Sequence, residues 1–308
     1  MNRERLSRRD FLKLGMGAAA VALLPRGLVA AETGQPAGPA VAVARGDKSK
    51  LVKAALDQLG GIKAFIKPGD KVCVKPNISF AANAECGATT SAEVMQQVVR
   101  LCLEAGAARV LLVDHTLASA EVCVEKSGVG KAVLDKDKVS VLTLGKERQF
   151  VEAKIEQGSE LKATKVARAL LESDKFINLP TAKSHSATGV SLGMKNLMGL
   201  IWDRGSLHSL NLHQCIADLA TVMKPHLVIV DATRALTSGG PGGPGKTVQL
   251  NTVIAGTDPV AVDSYAVGIT PWYSKSFTGK SVKYIVAAAA HQLGEIDPAR
   301  MNVREVKV

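Results

Sequence analysis

The sequence predicts an α/β protein built on a doubly wound, largely parallel sheet with helices on both faces. Three observations carry that expectation. Short β-rich runs alternate with helical segments along most of the chain. Some of those runs, such as Arg109-Val-Leu-Leu-Val-Asp114, are apolar almost without alternation, as a strand covered on both faces requires. Polar side chains collect at the ends of the runs, where open α/β sheets bind ligands.

The chain opens on Ser7-Arg8-Arg9-Asp10-Phe11-Leu12-Lys13, an uncharged run from Leu14 to Leu24, and a small-residue ending, Leu28-Val-Ala-Ala31. A charged head, apolar middle and small-residue tail describe a removable export signal. The paired arginines before Phe-Leu-Lys resemble the twin-arginine signal, which implies passage of a folded protein through the twin-arginine translocon to the periplasm or beyond. A cut after Ala31 fits best. The alternative is a retained anchor, but the 11-residue apolar run is short of the about 20 residues that span a bilayer. No stable membrane span is therefore expected after cleavage.

Residues 32–39 read as a linker, and residues 40–308 as the α/β domain. Ala40–Ala44 is the first predicted strand. A helix over about 49–59 stops at Gly60-Gly61. Lys71–Lys75 is a strand ending at Pro76-Asn77, and 78–90 is a polar loop. Residues 91–105 form a helix with Val94, Val98, Leu101 and Leu103 and a Gly106 stop. Strands follow at 109–114 and 139–143, then a helix at 163–173 and a strand at 175–179 closed by Pro180. Helices are predicted at about 190–200 and 210–222, and a strand at 226–231. After a Gly/Pro loop at 238–246 come a strand at 248–255, a helix at 258–268 with Pro259 just inside its start, and a helix at 280–293.

The chain has 39 basic and 28 acidic residues, a net charge of +11. The leader holds six of the basic residues and two of the acidic ones, which leaves the remainder near +7. Aromatics are only 4%, and no basic run is interleaved with them, so nucleic acid is not an expected partner. The charge fits an anionic small ligand. Five cysteines (Cys73, Cys86, Cys102, Cys123 and Cys215) are at least 13 residues apart, so there is no contiguous iron–sulfur motif. Cys73 and Cys102 read as buried small hydrophobes. Cys86 lies in a loop.

Four strand ends carry the candidate site: Lys75-Pro-Asn77; Asp114-His115; Asn178-Leu-Pro-Thr-Ala-Lys183-Ser-His185; and Asp231-Ala-Thr-Arg234. Lys75 and Asn77 suit an anion or a carbonyl. Lys183 and His185, two apart, share a face of an extended segment. They are expected to act as electrophile and base, with His185 as proton carrier or, alternatively, as a metal ligand. Lys195 and Asn196 lie in Gly189-Val-Ser-Leu-Gly193-Met-Lys-Asn-Leu-Met-Gly199, whose glycines weaken a helix and point to close backbone approach or an anion at a helix N-terminus. Asp258 reads as a helix cap. Asp263 reads as a buried carboxylate that needs a lysine or a metal, and Asp231 as a second carboxylate partner. His208 and His213 are assigned to neither site nor surface. Gly240-Pro-Gly-Gly-Pro-Gly-Lys-Thr247 matches a phosphate-loop pattern, but a strand rather than a helix is expected to follow, so it reads instead as a lid over the site.

Taken together, Lys75-Pro-Asn77, Thr89-Thr-Ser91, Glu104-Ala-Gly-Ala107, Asn178 through His185, Met194 through Gly199, Asp231 and Gly256-Thr-Asp-Pro-Val-Ala-Val-Asp263 resemble the family catalogued as domain of unknown function 362, over about residues 40–270. The resemblance implies no particular reaction. It implies an iron–sulfur label for members that carry a ferredoxin-type cysteine cluster, which this chain lacks. The leading expectation is an exported protein whose strand-end site binds an anionic small molecule or a metal-containing cofactor and supports redox or isomerisation chemistry. A non-catalytic protein that carries a metal or cofactor, and an iron–sulfur or thiol electron carrier, are the alternatives.

Overall fold

The computed structural model of the protein describes residues 38–308. The export signal over residues 1–31 and most of the linker over 32–39 lie outside the described residues. In chain order the elements are β1 (Ala40–Arg45), α1 (Leu51–Asp57), β2 (Lys71–Pro76), α2 (Ala92–Glu104), β3 (Arg109–His115), α3 (Ala120–Ser127), β4 (Val139–Leu144), β5 (Phe150–Lys154), β6 (Ala163–Ala167), α4 (Arg168–Leu171), β7 (Lys175–Leu179), β8 (Thr181–His185), β9 (Gly189–Ser191), α5 (Gly193–Asn196), α6 (Leu212–Val222), β10 (Leu227–Leu236), β11 (Thr247–Gly256), α7 (Pro259–Val267), α8 (Lys283–Ala290) and β12 (Asn302–Lys307).

The main sheet runs β12-β1-β11-β10-β7-β2-β3-β4. From β10 to β4 every neighbour is parallel, whereas β11 lies antiparallel between β10 and β1. The sheet is thus largely parallel and mixed at one side. Each strand feeds two cores, because successive side chains point to opposite faces. Val41 and Val43 pack with α6, α7 and α8 on one face, while Ala42 and Ala44 pack with α1 and α2 on the other. Helices on both faces are what the apolar, non-alternating strands of the sequence demand.

Several segments depart from expectation, among them the unpredicted α3, β5 and β12. Ala163–Ala167 is a strand, not the start of a helix, and pairs antiparallel with β5 in a separate two-stranded sheet. Thr164, Lys165 and Val166 alternate in a β-branched pattern that favours a pleated surface over a helix. Residues 190–200 hold a three-residue strand, the single turn α5 and a 3-10 turn in place of one helix. The glycines at 189, 193 and 199 set those breaks. β10 runs on to Leu236 because it forms a hairpin with β11, which the short predicted strand 226–231 did not anticipate.

Pro180 has the decisive local effect. It ends β7 and carries no N–H for the ladder. The chain resumes at once as β8, still parallel to the extended end of β10, with Asp231 paired to Thr181 and Leu236 to Lys183. Its polar residues Thr181, Lys183, Ser184 and His185 are all buried. They rise beyond the carboxyl ends of β2 and β3, where the crevice of an open parallel sheet lies.

Candidate functional site

A cavity of about 470 Å³ opens at these strand ends, with Asn77, Lys183, His185, Lys195, Asn196 and Arg204 on its polar wall. Phe80, Leu117, Met198 and Pro241 supply its apolar wall. Two of the sequence-predicted strand ends, and the Gly-rich segment carrying Lys195 and Asn196, converge here. Lys75 stands directly behind the wall.

Three asparagines tie the strands together. Asn196 accepts from Lys75 Nζ at 3.1 Å and from Asn77 Nδ2 at 3.1 Å through its Oδ1. Its Nδ2 donates to the Lys75 carbonyl at 3.0 Å and to Asn178 Oδ1 at 2.8 Å. Asn178 Nδ2 donates in turn to the Gly193 carbonyl at 2.8 Å. β2, β7 and α5 are thereby locked to one another by buried, mutually satisfied amides.

The lysines differ in how their ammonium groups are engaged. Lys75 Nζ meets Asp114 Oδ1 at 2.8 Å, the Pro76 carbonyl at 2.6 Å and Asn196 Oδ1, and both ends of the ion pair are fully buried. Lys183 Nζ donates to Asn77 Oδ1 at 3.0 Å and to the Ala88 carbonyl at 2.6 Å, and lies 4.5 Å from the centre of the Phe80 ring. Lys195 lines the cavity, and its ammonium makes no hydrogen bond or ion pair among the described residues. Arg204 is held over the end of β3 by donating to the carbonyls of His115 at 2.6 Å and Thr116 at 2.7 Å.

Four basic side chains thus face one carboxylate, Asp114, and their proton affinities register the crowding. Burial, and then the charge of Lys195, hold Lys183 well below the ordinary lysine range. Burial, then Arg204 and Lys75, bring Lys195 down to about 8. Burial lowers Lys75 as well, against the pull of Asp114. His185 falls to about 3, through burial first and then Lys195 and Lys183, so its ring is neutral. Its Nδ1 accepts from the Ala187 backbone N–H at 3.1 Å, which leaves the ring proton on Nε2. His185 can accordingly donate through its Nε2–H.

Gly199 explains how the backbone comes so close. A Cβ there would sit 2.3 Å from Asp114 Oδ1 and 2.6 Å from Lys75 Cε. The turn after α5 thus lies against the buried ion pair with no room for a side chain.

A profile of the family described as Domain of unknown function (DUF362) matches residues 72–268, more than half of the chain. The chain belongs to that family. A profile of the twin-arginine translocation pathway signal sequence matches residues 5–25, which marks the protein for export. No helix among the described residues is long and apolar enough to cross a membrane. The thylakoid-associated protein sll1697 of Synechocystis is 26% identical over 220 residues, 69% of this chain and 66% of that protein, so the match spans just under two thirds of the relative. The lactate racemase apoprotein from Thermoanaerobacterium thermosaccharolyticum is a distant structural neighbour, with a TM-score of 0.44 and 13% identity over 72% of this chain and 54% of that one.

Within this DUF362 chain the two aspartates expected as metal ligands stand apart from the lysines and are taken up by backbone. Asp263 accepts from the amides of Gly193 at 2.7 Å and Met194 at 2.9 Å. The Gly193 and Met194 amides are thus taken up by a side chain of the protein itself, and burial pushes that carboxyl up to about 7. Asp231 accepts from the Ser91 amide at 2.7 Å, at the start of α2, and from Thr233 N–H and Oγ at 2.9 and 2.6 Å. Among the described residues no three His, Cys, Asp or Glu side chains converge as a metal site would require. Cys73, Cys102, Cys123 and Cys215 are buried and Cys86 is exposed, all as free thiols. Burial lifts Cys73 and Cys102 to about 12, which makes them poor thiolates.

Asp258 caps α7 through the Ala261 amide at 2.8 Å, as expected. His208 lines the cavity. His213 lies on α6 with a buried Nδ1 that has no partner. Arg234 reaches Thr247 and Gln249 across the β10–β11 hairpin. The Gly/Pro segment is the hairpin turn, with no helix after it. Pro241 lines the cavity, and the segment is fastened by the Gly240 amide donating to Ser184 Oγ at 3.0 Å. Arg204 and Phe80, the two unexpected wall residues, come from loops whose sequence carries no periodic signal.

Proposed function

We propose that the cavity binds a small organic anion and that the protein, once exported, acts on or carries that anion. The single observation behind this reading is the excess of cations: four basic side chains and one carboxylate around a partly buried space, with Lys195 unpaired among the described residues. Like charges crowded where water is partly excluded oppose one another, and an anionic ligand supplies the missing negative charge. Lys195, Arg204 and Lys183 would grip its charged group, and the Nε2–H of the neutral His185 would donate to an adjacent oxygen. The apolar wall of Phe80, Leu117, Met198 and Pro241 favours a ligand with a hydrocarbon or aromatic portion.

Proton transfer fits Lys183 and Lys195 better than the histidine. A lysine near 8 spends part of its time as a free amine at neutral pH and can take a proton from a carbon acidified by an adjacent carbonyl. That supports the isomerase-type reading.

The test is a thermal-shift and calorimetric screen of carboxylates and phosphate esters against the protein and its Lys183→Met and Lys195→Met variants. A ligand present at a hundred times its Kd should stabilise the protein by about 2.7 kcal/mol. Both variants should lose most of that stabilisation. If ligands bind equally well to the variants, the site assignment fails.

A further inference from the structure

We infer that Lys195 is a nucleophile, and that it forms an imine with an anionic carbonyl compound of the 2-oxo-acid class bound in the same cavity. The inference rests on the anion-site reading and deepens it by naming the chemistry.

Three lysines surround the cavity, and their hydrogen bonds separate their roles. The Lys75 ammonium directs its donors at Asp114, Pro76 and Asn196. Three acceptors require three protons, so Lys75 stays charged and its nitrogen has no free lone pair. Lys183 has two acceptors, Asn77 and the Ala88 carbonyl, with Phe80 over its third side. Attack by its nitrogen would break both bonds. Lys195 has no acceptor to leave among the described residues. Its nitrogen borders the cavity and is free to turn toward a ligand.

The surroundings also make that amine available. Arg204 and Lys75 sit close enough to oppose its protonation, and partial burial of the side chain works in the same direction. A lysine desolvated beside other cations is the usual form of an imine-forming amine. Its backbone is fixed: Asp263 holds the Gly193 and Met194 amides on one side of it, and Asn196 anchors the other. A carboxylate on the ligand would lie against Arg204, leaving the adjacent carbonyl for Lys195 and the Nε2–H of His185 to polarise its oxygen.

The step balances without a further reagent. The Lys195 lone pair forms the C–N bond as the carbonyl π pair moves to oxygen, giving a carbinolamine. The two amine protons depart with that oxygen as water, and a C=N bond remains. The imine takes one proton from solvent and restores the positive charge that Lys195 carried. An iminium next to a carbon bearing a proton makes that proton acidic, which links this step to the proton chemistry above.

The experiment treats the full protein with pyruvate or phenylpyruvate and sodium cyanoborohydride at about pH 8, near the Lys195 value of about 8, and maps the products by peptide mass spectrometry. Binding of lactate, an anion of the same shape without the carbonyl, is followed in parallel by thermal shift. The expected result is one reduced adduct per chain, on Lys195, suppressed by excess lactate. Lys195→Arg removes the nucleophilic amine and should give no adduct. Stabilisation by both anions with no adduct, or an adduct on Lys183 or on scattered surface lysines that lactate does not suppress, would overturn the imine while leaving the anion site standing. No stabilisation by any carboxylate would overturn both.

Discussion

Replacing Asp114 with asparagine tests the central electrostatic argument with almost no change in shape. Asp114 is fully buried, and each of its oxygens accepts twice: Oδ1 from Lys75 Nζ at 2.8 Å and the His115 amide at 2.8 Å, Oδ2 from the Ile78 amide at 2.8 Å and Ser79 Oγ at 3.0 Å. Asparagine offers one carbonyl oxygen and one NH2. Whichever way it turns, a donor is pushed against a backbone N–H, and the Lys75 ammonium loses its only counter-charge. Removing one partner of a buried ion pair costs about 3–5 kcal/mol. The loss should depend on pH, and its sign follows from Lys75. Without Asp114 the folded protein holds Lys75 further below its unfolded value, so unfolding takes up a proton between those two values and stability rises with pH. Urea unfolding of Asp114→Asn should therefore show the full deficit near neutral pH and a smaller one toward pH 10, at about 1.4 kcal/mol for each pH unit that Lys75 spends neutral when folded and charged when unfolded. Lys75→Met in the same background should recover part of the stability. A deficit below about 1 kcal/mol at neutral pH would refute the view that this pair is buried and mutually dependent, as would a deficit that does not shrink as pH rises.

Gly199→Ala places its Cβ 2.3 Å from Asp114 Oδ1, so the turn must move. A loss of about 1–3 kcal/mol or more is expected, read as a lower urea midpoint at unchanged slope, together with weaker anion binding. Anion affinity should fall as pH rises through about 8, where Lys195 loses its charge, and Lys195→Arg should abolish that fall when titrated by calorimetry. His185, neutral down to about 3, should add no pH dependence between 5 and 8. Asp263 has its folded carboxyl at about 7 against about 4 when unfolded, so folding holds a proton in that interval. Its contribution to stability is greatest below pH 4 and is lost as pH rises through 7. Asp263→Asn should flatten that part of the stability–pH curve.

The site was legible in the sequence to the extent that strand ends are legible. Lys75, Asn77, Lys183 and His185 each follow an apolar run closed by proline, and a parallel sheet brings such ends to one rim. Lys195 and Asn196 could be placed near them only through the spacing of glycines, and Gly193 and Gly199 do mark close approach. What the sequence could not distinguish is the partner of a buried carboxylate. Asp231 and Asp263 sit in apolar stretches, as a metal ligand or a lysine's partner would, yet both serve backbone amides, which leave no trace in composition. Asp114, to the sequence one more strand-end residue, is the carboxylate that meets Lys75 and, among the described residues, the only one facing the basic cluster. Thr181–His185, expected only as an extended polar strand end, is a buried strand in its own right, β8. Arg204 and Phe80 enter from irregular segments, and neither period nor motif points to them.

The direction of the amide network bears on why the lysines can differ so much within one small space. Lys183 donates to Asn77 Oδ1, Asn77 Nδ2 to Asn196 Oδ1, Asn196 Nδ2 to Asn178 Oδ1, and Asn178 Nδ2 to the Gly193 carbonyl. Every amide in that series has one orientation that satisfies its neighbours, so the series runs one way from Lys183 to α5. Its head needs a donor and nothing more. A neutral amine has two N–H groups, and Lys183 has two oxygen acceptors, so Lys183 can give up its charge without breaking the series. Lys75 cannot, because Asp114 requires the cation. The fold therefore keeps one lysine charged, lets a second be neutral in place, and leaves the third, Lys195, unbonded at the cavity. That division follows from counting donors and acceptors. It is the reason an incoming anion would find a site already ordered, with only the Lys195 side chain left to move.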